Sequence, residues 1–216
     1  MKFSENWLRS MVDPKLTTSE LADLLTFGGI EIEGVTPAAP AFERVVVGEV
    51  LSVEKHPNAD RLNVCQVNAG VAPLTIVCGA PNVRAGMRVP TALVGAVLPG
   101  LTIKAAKVRG VESSGMLCSA KELGIAEDAG GLMVLPVDAQ IGADVRHVLD
   151  LNDCVFDSKP TPNRGDCLSV RGLAREVAAL CGERLTAVSQ APVPTAHDSR
   201  PVISLEAPQE IGRAHV

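Results

Sequence analysis

The chain has 216 residues, of which 46% are hydrophobic and 21% are charged, and its formal net charge at pH 7 is -5. This length and composition suffice for a buried core in two domains, and the negative charge excludes a generally basic nucleic-acid-binding protein. No apolar run approaches the roughly 20 residues needed to cross a bilayer, and the N-terminus MKFSENWLRS lacks the apolar centre of a signal peptide, so we expect a soluble protein of the cytoplasm.

The first forty residues predict two capped helices and a short strand. In LTTSELADLL, Thr17 suits the N-cap and Glu20 completes a capping box, so a helix with a stripe of buried leucines should follow. The glycines of FGG end that helix, and IEIEGV alternates like a strand. SENWLRSM predicts an earlier helical turn with Ser4 as its N-cap. This segment is too short to bury a core alone.

The middle of the chain changes from a helical period to a period of two. PAAPAF reads as a linker, and five strand candidates follow it: RVVVGEVLSVEKH, RLNVCQVNAG, PLTIVCGAP, MRVPTALVGAVLPG and LTIKAAKVRGVE. A small helix is expected in SAKELG, where Ser119 and Glu122 form a capping box. Short strands at this spacing, followed by a helix, are typical of a closed or nearly closed barrel.

The last part of the chain repeats the pattern of the first. A strand (CVFDSK), a loop (PTPNRGD) and a helix (LSVRGLAREVAALCG) again lack the mass for their own core. In the loop, Asp166 should cap the following helix and Arg164 should tie the loop down. The predicted fold class is therefore α+β, with a five-stranded OB-fold barrel inserted into a small discontinuous α/β domain. The expected boundaries are 1–40 and 149–188 for the two halves, 41–148 for the barrel, and 189–216 for the start of a next domain or a disordered tail.

Polar side chains crowd the loop between the first two barrel strands, EKHPNADRLN. The proline biases His56 toward extended backbone, and Asn58 suits a turn because its side chain can bond nearby amides. A well-capped loop explains these features but does not require Lys55, His56 or Arg61. The first interstrand loop of an OB-type barrel lies beside the oligonucleotide-binding face, where such donors could meet phosphates or base edges.

A second basic cluster, IKAAKVRG, contains Lys104, Lys107 and Arg109. On one strand, Lys107 and Arg109 would share a face and Lys104 would lie on the other, unless a bulge intervenes. A solvated strand face is the alternative interpretation, because the barrel segment carries as many acidic as basic residues. Phe42 is the only aromatic residue of this segment, so RNA contacts would use charge, shape and polar edges rather than stacking.

Independent enzymatic chemistry is not indicated. SSGMLCSAKE offers hydroxyl and thiol nucleophiles without a histidine nearby, at Ser113, Ser114, Cys118 and Ser119. No glycine-rich phosphate loop of the G-x-x-x-x-G-K-[ST] type occurs. The six cysteines lack a C-x-x-C pair, which favours reduced, mostly buried thiols over a zinc site or a disulfide framework. Asp150 and Asp153 are better explained by capping or solvation than by metal binding.

Three stretches carry a resemblance to a known family: VVVGEVLSVEKHPNADRLNVCQVNAG, IVCGAPNVRAGMRVPTALVGAVLPG and IKAAKVRGVESSGMLCSAKELG. They resemble the tRNA-binding OB domain that occurs alone, attached to methionyl-tRNA synthetases, and inserted near the start of bacterial phenylalanyl-tRNA synthetase beta subunits. The flanks MKFSENWLRSMVD, GGIEIEGV and TPNRGDCLSVRGLAREVAAL resemble the split domain around that insert. The resemblance covers residues 1 to about 185.

The resemblance implies a role beside a catalytic partner. In that family the alpha subunit activates phenylalanine with ATP and magnesium and transfers it to tRNA, within a heterotetramer of two alpha and two beta subunits. The beta subunit supports assembly, binds tRNA and carries an editing domain. This chain stops near the expected start of that domain, and its tail EAPQEIGRAHV fits the family poorly, so we expect an N-terminal fragment with an atypical end. An independent, non-catalytic tRNA-binding or oligomerisation module is the alternative.

The resemblance also implies which residues meet tRNA, whereas it implies no catalytic residue, cofactor or metal in this fragment. For one of these positions, Met116, packing in the core beside Leu117 is the alternative. The implied contacts are Lys55, His56, Asn58, Arg61, Lys107, Arg109, Ser113, Ser114 and Met116.

Overall fold

The computed structural model describes residues 1–127, 130–187, 193–196, 199–202 and 204. The predicted tail EAPQEIGRAHV lies outside the described residues, as does most of the segment 189–216 expected to begin a next domain. Residues 1–186 form one compact unit, which contains the helices and strands of the described residues. Among those residues, no helix combines the length and the apolar composition that crossing a bilayer would take.

The helices and strands are, in chain order, β1 (Lys2–Ser4), α1 (Glu5–Met11), α2 (Thr18–Phe27), β2 (Ile30–Pro37), β3 (Glu43–Lys55), β4 (Asn63–Asn68), β5 (Leu74–Cys78), β6 (Arg88–Leu98), β7 (Leu101–Thr102), β8 (Ala106–Val108), β9 (Val111–Ser113), β10 (Gly115–Leu117), α3 (Val145–Val148), β11 (Cys154–Pro160) and α4 (Val170–Cys181). Together they make a mixed α and β structure with a curled antiparallel sheet.

Strands from residues 2–37 and from residues 154–160 share a small antiparallel sheet, in the order β1-β11-β2. Pro37 at the end of β2 pairs with Cys154 at the start of β11, and the next rung is closed by Ala38 N–H donating to Asp153 O at 2.9 Å. The sheet and the helices α1, α2 and α4 enclose one apolar core, formed by Phe3, Leu8, Val12, Leu21, Leu25, Ile30, Phe156, Cys167, Val170, Leu173, Ala174 and Val177. Residues from both ends of the chain therefore bury the same surface.

Local capping chemistry sets where the helices begin. The capping box predicted at α2 is confirmed, because Thr17 Oγ1 accepts from Glu20 N–H at 3.3 Å while the Glu20 carboxylate accepts from Thr17 N–H at 2.8 Å. These hydrogen bonds favour the ionised carboxylate and lower the pKa of Glu20. The predicted cap of α4 is wrong: Ser169 Oγ, rather than Asp166, accepts from Gly172 N–H at 3.0 Å. A 3₁₀ turn over Gly165–Cys167 separates Asp166 from the helix.

The curled sheet has the order β10-β6-β3-β4-β5, with β7 added beside β6. The long strand β3 pairs with β6 along its first half and with β4 along its second half. The two edges of the sheet approach each other, since Ser114 N–H next to β10 donates to Thr75 O in β5 at 2.9 Å. Two apolar clusters built on this sheet bury residues such as Val47, Val67 and Leu123.

Two predicted elements of this region are wrong. The expected fifth strand, residues 101–112, is broken into β7, β8 and β9, and β10 is the strand that pairs with β6 at the sheet edge. The expected helix in SAKELG is a turn, although Ser119 and Glu122 do form the reciprocal hydrogen bonds of a capping box. Gly124 takes the left-handed conformation, with φ of 68°, and stops the helix after one turn.

One guanidinium joins the two connections between the small sheet and the curled sheet. Arg146 donates to Asn152 Oδ1 at 2.8 Å, to Pro40 O at 2.7 Å and to Leu151 O at 3.0 Å. The same guanidinium lies 4.9 Å from the centroid of the Phe42 ring, within cation–π range. The chain segments that enter and leave the curled sheet are thus tied to one side chain.

Replacing Arg146 with alanine should lower the free energy of unfolding by about 2 kcal/mol, because two backbone carbonyls lose a charged donor. Urea denaturation followed by circular dichroism measures the change. Arg171→Ala, at an exposed position of α4, is the matched control and should change stability by less than about 0.5 kcal/mol. Equal losses in the two variants would show that the contacts of Arg146 contribute nothing specific.

Candidate nucleic-acid interface

The loop between β3 and β4 is held by its own polar side chains and by a hairpin distant in sequence. His56 is only 5% exposed, and its ring uses both nitrogens: Nδ1 accepts from Asn58 N–H at 3.1 Å and Nε2 lies 3.1 Å from Val108 O. Asn58 Nδ2 donates to Arg109 O at 3.2 Å. Since Nδ1 accepts, Nε2 carries the proton and donates to the carbonyl. The loop therefore contacts the strand and turn that contain the second basic cluster.

The hairpin formed by β8 and β9 turns at two residues with positive φ, Arg109 at 46° and Gly110 at 97°. A two-residue turn with positive φ at both positions is the type I′ geometry that joins twisted antiparallel strands. Lys107 and Arg109 do not share a strand face as predicted, because Arg109 lies in the turn. The left-handed conformation is unusual for arginine and is held here by the hydrogen bond from Asn58 to its carbonyl.

The predicted basic residues lie on these two connected loops. Lys55 and Arg61 flank the first loop, and Lys107 and Arg109 lie on the hairpin; all four are exposed. Glu112 pairs in register with Lys107 across the hairpin, so one carboxylate shares that face. Exposed ammonium and guanidinium groups on adjoining loops can neutralise backbone phosphates without reading bases.

The remaining predicted contacts lie at the base of the hairpin. Ser113 is buried, with Oγ accepting from Val77 N–H and donating to Gly115 O, both at 3.1 Å. Ser114 is half-buried and bonds β5 through its backbone. Met116 packs against the core and also borders a groove of about 340 Å³, whose lining includes Val77, Ile103, Lys104, Val108, Ser113 and Met116. The hydroxyl of Ser113 thus has its partners within the protein. Core packing, the alternative considered for Met116, is observed, and its contact with tRNA stays a prediction.

Cys118 and Ser119, two of the nucleophiles considered in SSGMLCSAKE, are buried. Burial raises the pKa of the Cys118 thiol to about 12, so this thiol is protonated at neutral pH. Ser119 Oγ donates to Glu122 Oε2 at 2.7 Å as part of the turn. A protonated thiol is a poor nucleophile. The Glu122 oxygen that accepts from Ser119 Oγ also accepts from Ser119 N–H, so both groups serve the hydrogen bonding of the turn.

Among the described residues, three side chains of the types that bind metal ions lie close together, in the 3₁₀ turn before α4 and on that helix. They are Asp166, Cys167 and Glu176. A guanidinium already lies among them: Arg164 Nη2 donates to Glu176 Oε2 at 2.6 Å, to Cys167 Sγ at 3.0 Å and to Asp166 Oδ2 at 3.2 Å. These bonds lower the pKa of Asp166, whereas burial raises the pKa of Cys167. The arrangement is an ion-pair network that ties down the loop, which is the role predicted for Arg164.

Sequence reasoning missed how the two basic clusters are joined. The acceptors of His56 and Asn58 are backbone carbonyls of Val108 and Arg109, which no side-chain motif marks. The signal that could have located the turn is Gly110, because a glycine inside a strand pattern suggests a break or a bulge. Lys104, expected on the opposite face of a strand, instead borders the groove.

The chain is similar to proteins of tRNA aminoacylation. Residues 45–144 match the family described as "Putative tRNA binding domain". The chain is 62% identical over 213 residues to the phenylalanine–tRNA ligase beta subunit of Dechloromonas aromatica, covering 97% of this chain and 27% of that protein. It is 57% identical over 210 residues to the corresponding subunit of Aromatoleum aromaticum, covering 96% of this chain and 26% of the relative. The chain thus spans about a quarter of the length of these curated relatives.

Among solved structures, a MetRS related protein from Pyrococcus horikoshii is 27% identical, and the match covers 46% of this chain and 85% of that chain. Its TM-score of 0.35 is too low to support an inference about the fold. The sequence matches confirm the resemblance that the motifs indicated.

Proposed function

Since the chain is related in sequence, over nearly its whole length, to a segment of phenylalanine–tRNA ligase beta subunits, we propose that it is the tRNA-binding and assembly region of such a subunit. The observation that carries the proposal is the tRNA-binding family match over residues 45–144, the segment that contains both exposed basic loops. In this role the chain supports ATP-dependent attachment of phenylalanine to tRNA in the cytoplasm.

The proposed architecture is a five-stranded OB barrel of residues 41–148 inserted into a discontinuous α/β domain of residues 1–40 and 149–188. The hydrogen bond from Ser114 N–H to Thr75 O supports barrel closure, because it joins the two edges of the curled sheet. The position of β11 between β1 and β2 supports the discontinuous domain.

The proposed tRNA contacts divide by exposure. Lys55, Arg61, Lys107 and Arg109 present charge to solvent and are proposed to meet phosphates. Ser114 is half-buried and Met116 lines the groove, so both border the same surface. Asn58, also among the proposed contacts, donates its amide N–H to the carbonyl of Arg109 in the hairpin turn. His56 and Ser113 are buried, and they are proposed to support the surface through their hydrogen bonds within the protein. Exposed cations on two neighbouring loops suit a phosphate backbone of defined shape, as in folded RNA.

The chemistry is assigned to a partner. We place phenylalanine activation, with its ATP and magnesium, on an alpha subunit, in a heterotetramer of two alpha and two beta subunits. This chain is proposed to supply no catalytic group. The protonated state of the buried Cys118 thiol agrees with that assignment.

Titration with unfractionated bacterial tRNA in a filter-binding assay, from about 50 to 200 mM NaCl, tests the proposal. We expect saturable retention whose affinity falls as salt rises. The same preparation should give no phenylalanine-dependent pyrophosphate exchange with ATP, and exchange by the chain alone would overturn the non-catalytic assignment. Failure to retain tRNA would overturn the binding role. A full-length gene product that purifies without an alpha subunit would favour an independent module.

A further inference from the structure

We propose that His56 and Asn58 form a latch that positions the β8–β9 hairpin for tRNA, acting through the hairpin rather than by touching RNA. The latch is defined by two hydrogen bonds to the hairpin, from His56 Nε2 to Val108 O and from Asn58 Nδ2 to Arg109 O. The proposal rests on the proposed function, because it concerns how the tRNA surface is organised.

The hairpin needs such support because its own pairing is small. β8 and β9 are three residues each and form a separate two-stranded sheet. An isolated two-stranded hairpin of this kind is marginal in water. Its base is anchored by Ser113 Oγ, which accepts from Val77 N–H. Its tip is held by the latch, at the residue before the turn and at the first residue of the turn.

The latch also explains why the ring of His56 is buried. Asn58 N–H donates to His56 Nδ1, so the backbone of the loop orients the ring and leaves Nε2–H for the Val108 carbonyl. The loop residue that donates to Nδ1 is the same residue whose side chain bonds the turn. Loop and hairpin therefore share two side chains, and the positive φ of Arg109 is stabilised at its carbonyl.

Close packing at the turn supports the same conclusion. A Cβ built on Gly110 would lie 3.6 Å from Asn58 Nδ2, so a side chain added at this turn position would touch the amide. The side chain of Arg109 is exposed while its carbonyl is bonded, which leaves the guanidinium free to project from a fixed backbone. This geometry holds the backbone of Arg109 in place while its guanidinium faces solvent, as a site that presents a cation to a ligand requires.

A double-mutant cycle on the whole chain tests the latch by tRNA filter binding. Asn58→Ala removes one of the two latch bonds, and Asn58→Ala with His56→Leu removes both. Lys107→Ala with Arg109→Ala removes the cations that the hairpin presents. We expect the charge change to raise Kd by less than about 3-fold in the background that carries both Asn58→Ala and His56→Leu, against at least about 15-fold in the reference chain. Additive losses would mean that Asn58 makes its own RNA contact, and would overturn the proposal.

Amide hydrogen exchange separates failure of the latch from failure of the proposed function. Asn58→Ala should speed exchange within residues 106–113 and leave the small sheet unchanged, and unchanged exchange in the hairpin would overturn the latch whatever the RNA result. Asn163→Ala is the matched control, since it also removes an exposed asparagine with one side-chain bond. If the cation variant binds tRNA normally, the hairpin is not an RNA contact, and the proposed site and the latch's role in tRNA binding both fall.

Discussion

Replacing Phe156 with alanine is expected to lower the free energy of unfolding by about 3 to 5 kcal/mol, the largest stability change we anticipate for a single substitution in this chain. Phe156 has no exposed surface, and its ring stacks on Phe3 with centroids 5.2 Å apart. The truncation would leave a cavity between the first and last parts of the chain. Urea denaturation followed by circular dichroism measures the loss.

Phe27→Ala makes the same chemical change at a residue that is 89% exposed, and it should alter stability by less than about 0.5 kcal/mol. Hydrogen exchange adds a second readout. If the two ends of the chain form one cooperative domain, Phe156→Ala should accelerate exchange in β2 as well as in β11. Acceleration confined to residues 154–181 would mean that the two parts unfold separately, contrary to the proposed discontinuous domain.

Removing both hairpin cations, with Lys107→Ala and Arg109→Ala, is expected to weaken tRNA binding about 15- to 30-fold at 0.15 M salt. This range follows from two lost phosphate contacts, each of which contributes about 0.7 to 0.9 to the slope of log K against log salt. The slope itself should fall by about 1.4 to 1.8. Because phosphates carry no sequence information, every tRNA should be affected similarly.

The control is Arg171→Ala with Arg175→Ala, which removes two exposed charges from α4, outside the segment matching the tRNA-binding family. Equal slopes for the two double variants would mean that total charge, rather than the hairpin, sets binding. Glu112→Gln offers the opposite test, since it removes the carboxylate paired with Lys107 and should strengthen binding. A loss confined to one tRNA would reveal base recognition.

The features that could be predicted from the sequence depend on residues close together in the chain. The capping box of Thr17 and Glu20 and the helix it starts follow from side chains three residues apart. The same reasoning predicted the hydrogen bonds between Ser119 and Glu122 correctly. It predicted a helix after them wrongly, because Gly124 ends the turn before a helix can form. A cap is therefore evidence for a helical turn, and its continuation depends on the residues that follow.

The features that could not be predicted depend on distant partners. β1 has three residues, and its register is set by pairing with Val155, Phe156 and Asp157. The burial of His56 depends on a carbonyl more than fifty positions away, at Val108. For the candidate site, residue type marks the two basic clusters in the sequence. Their contact with each other and the burial of His56 and Ser113 are properties of the folded chain.

The register of the small sheet makes the intervening residues equivalent to a hairpin loop. Pro37 and Cys154 are partners across β2 and β11, and Ala38 is bonded to Asp153 on the next rung. As far as this ladder is concerned, everything between them is the loop of one β-hairpin. The entropic cost of closing a hairpin rises only slowly with the length of its loop. The cost is smaller again for a loop that is already folded and whose two ends are both hydrogen-bonded to Arg146. The whole curled sheet can thus occupy the position of a turn while β2 and β11 keep the same pairing.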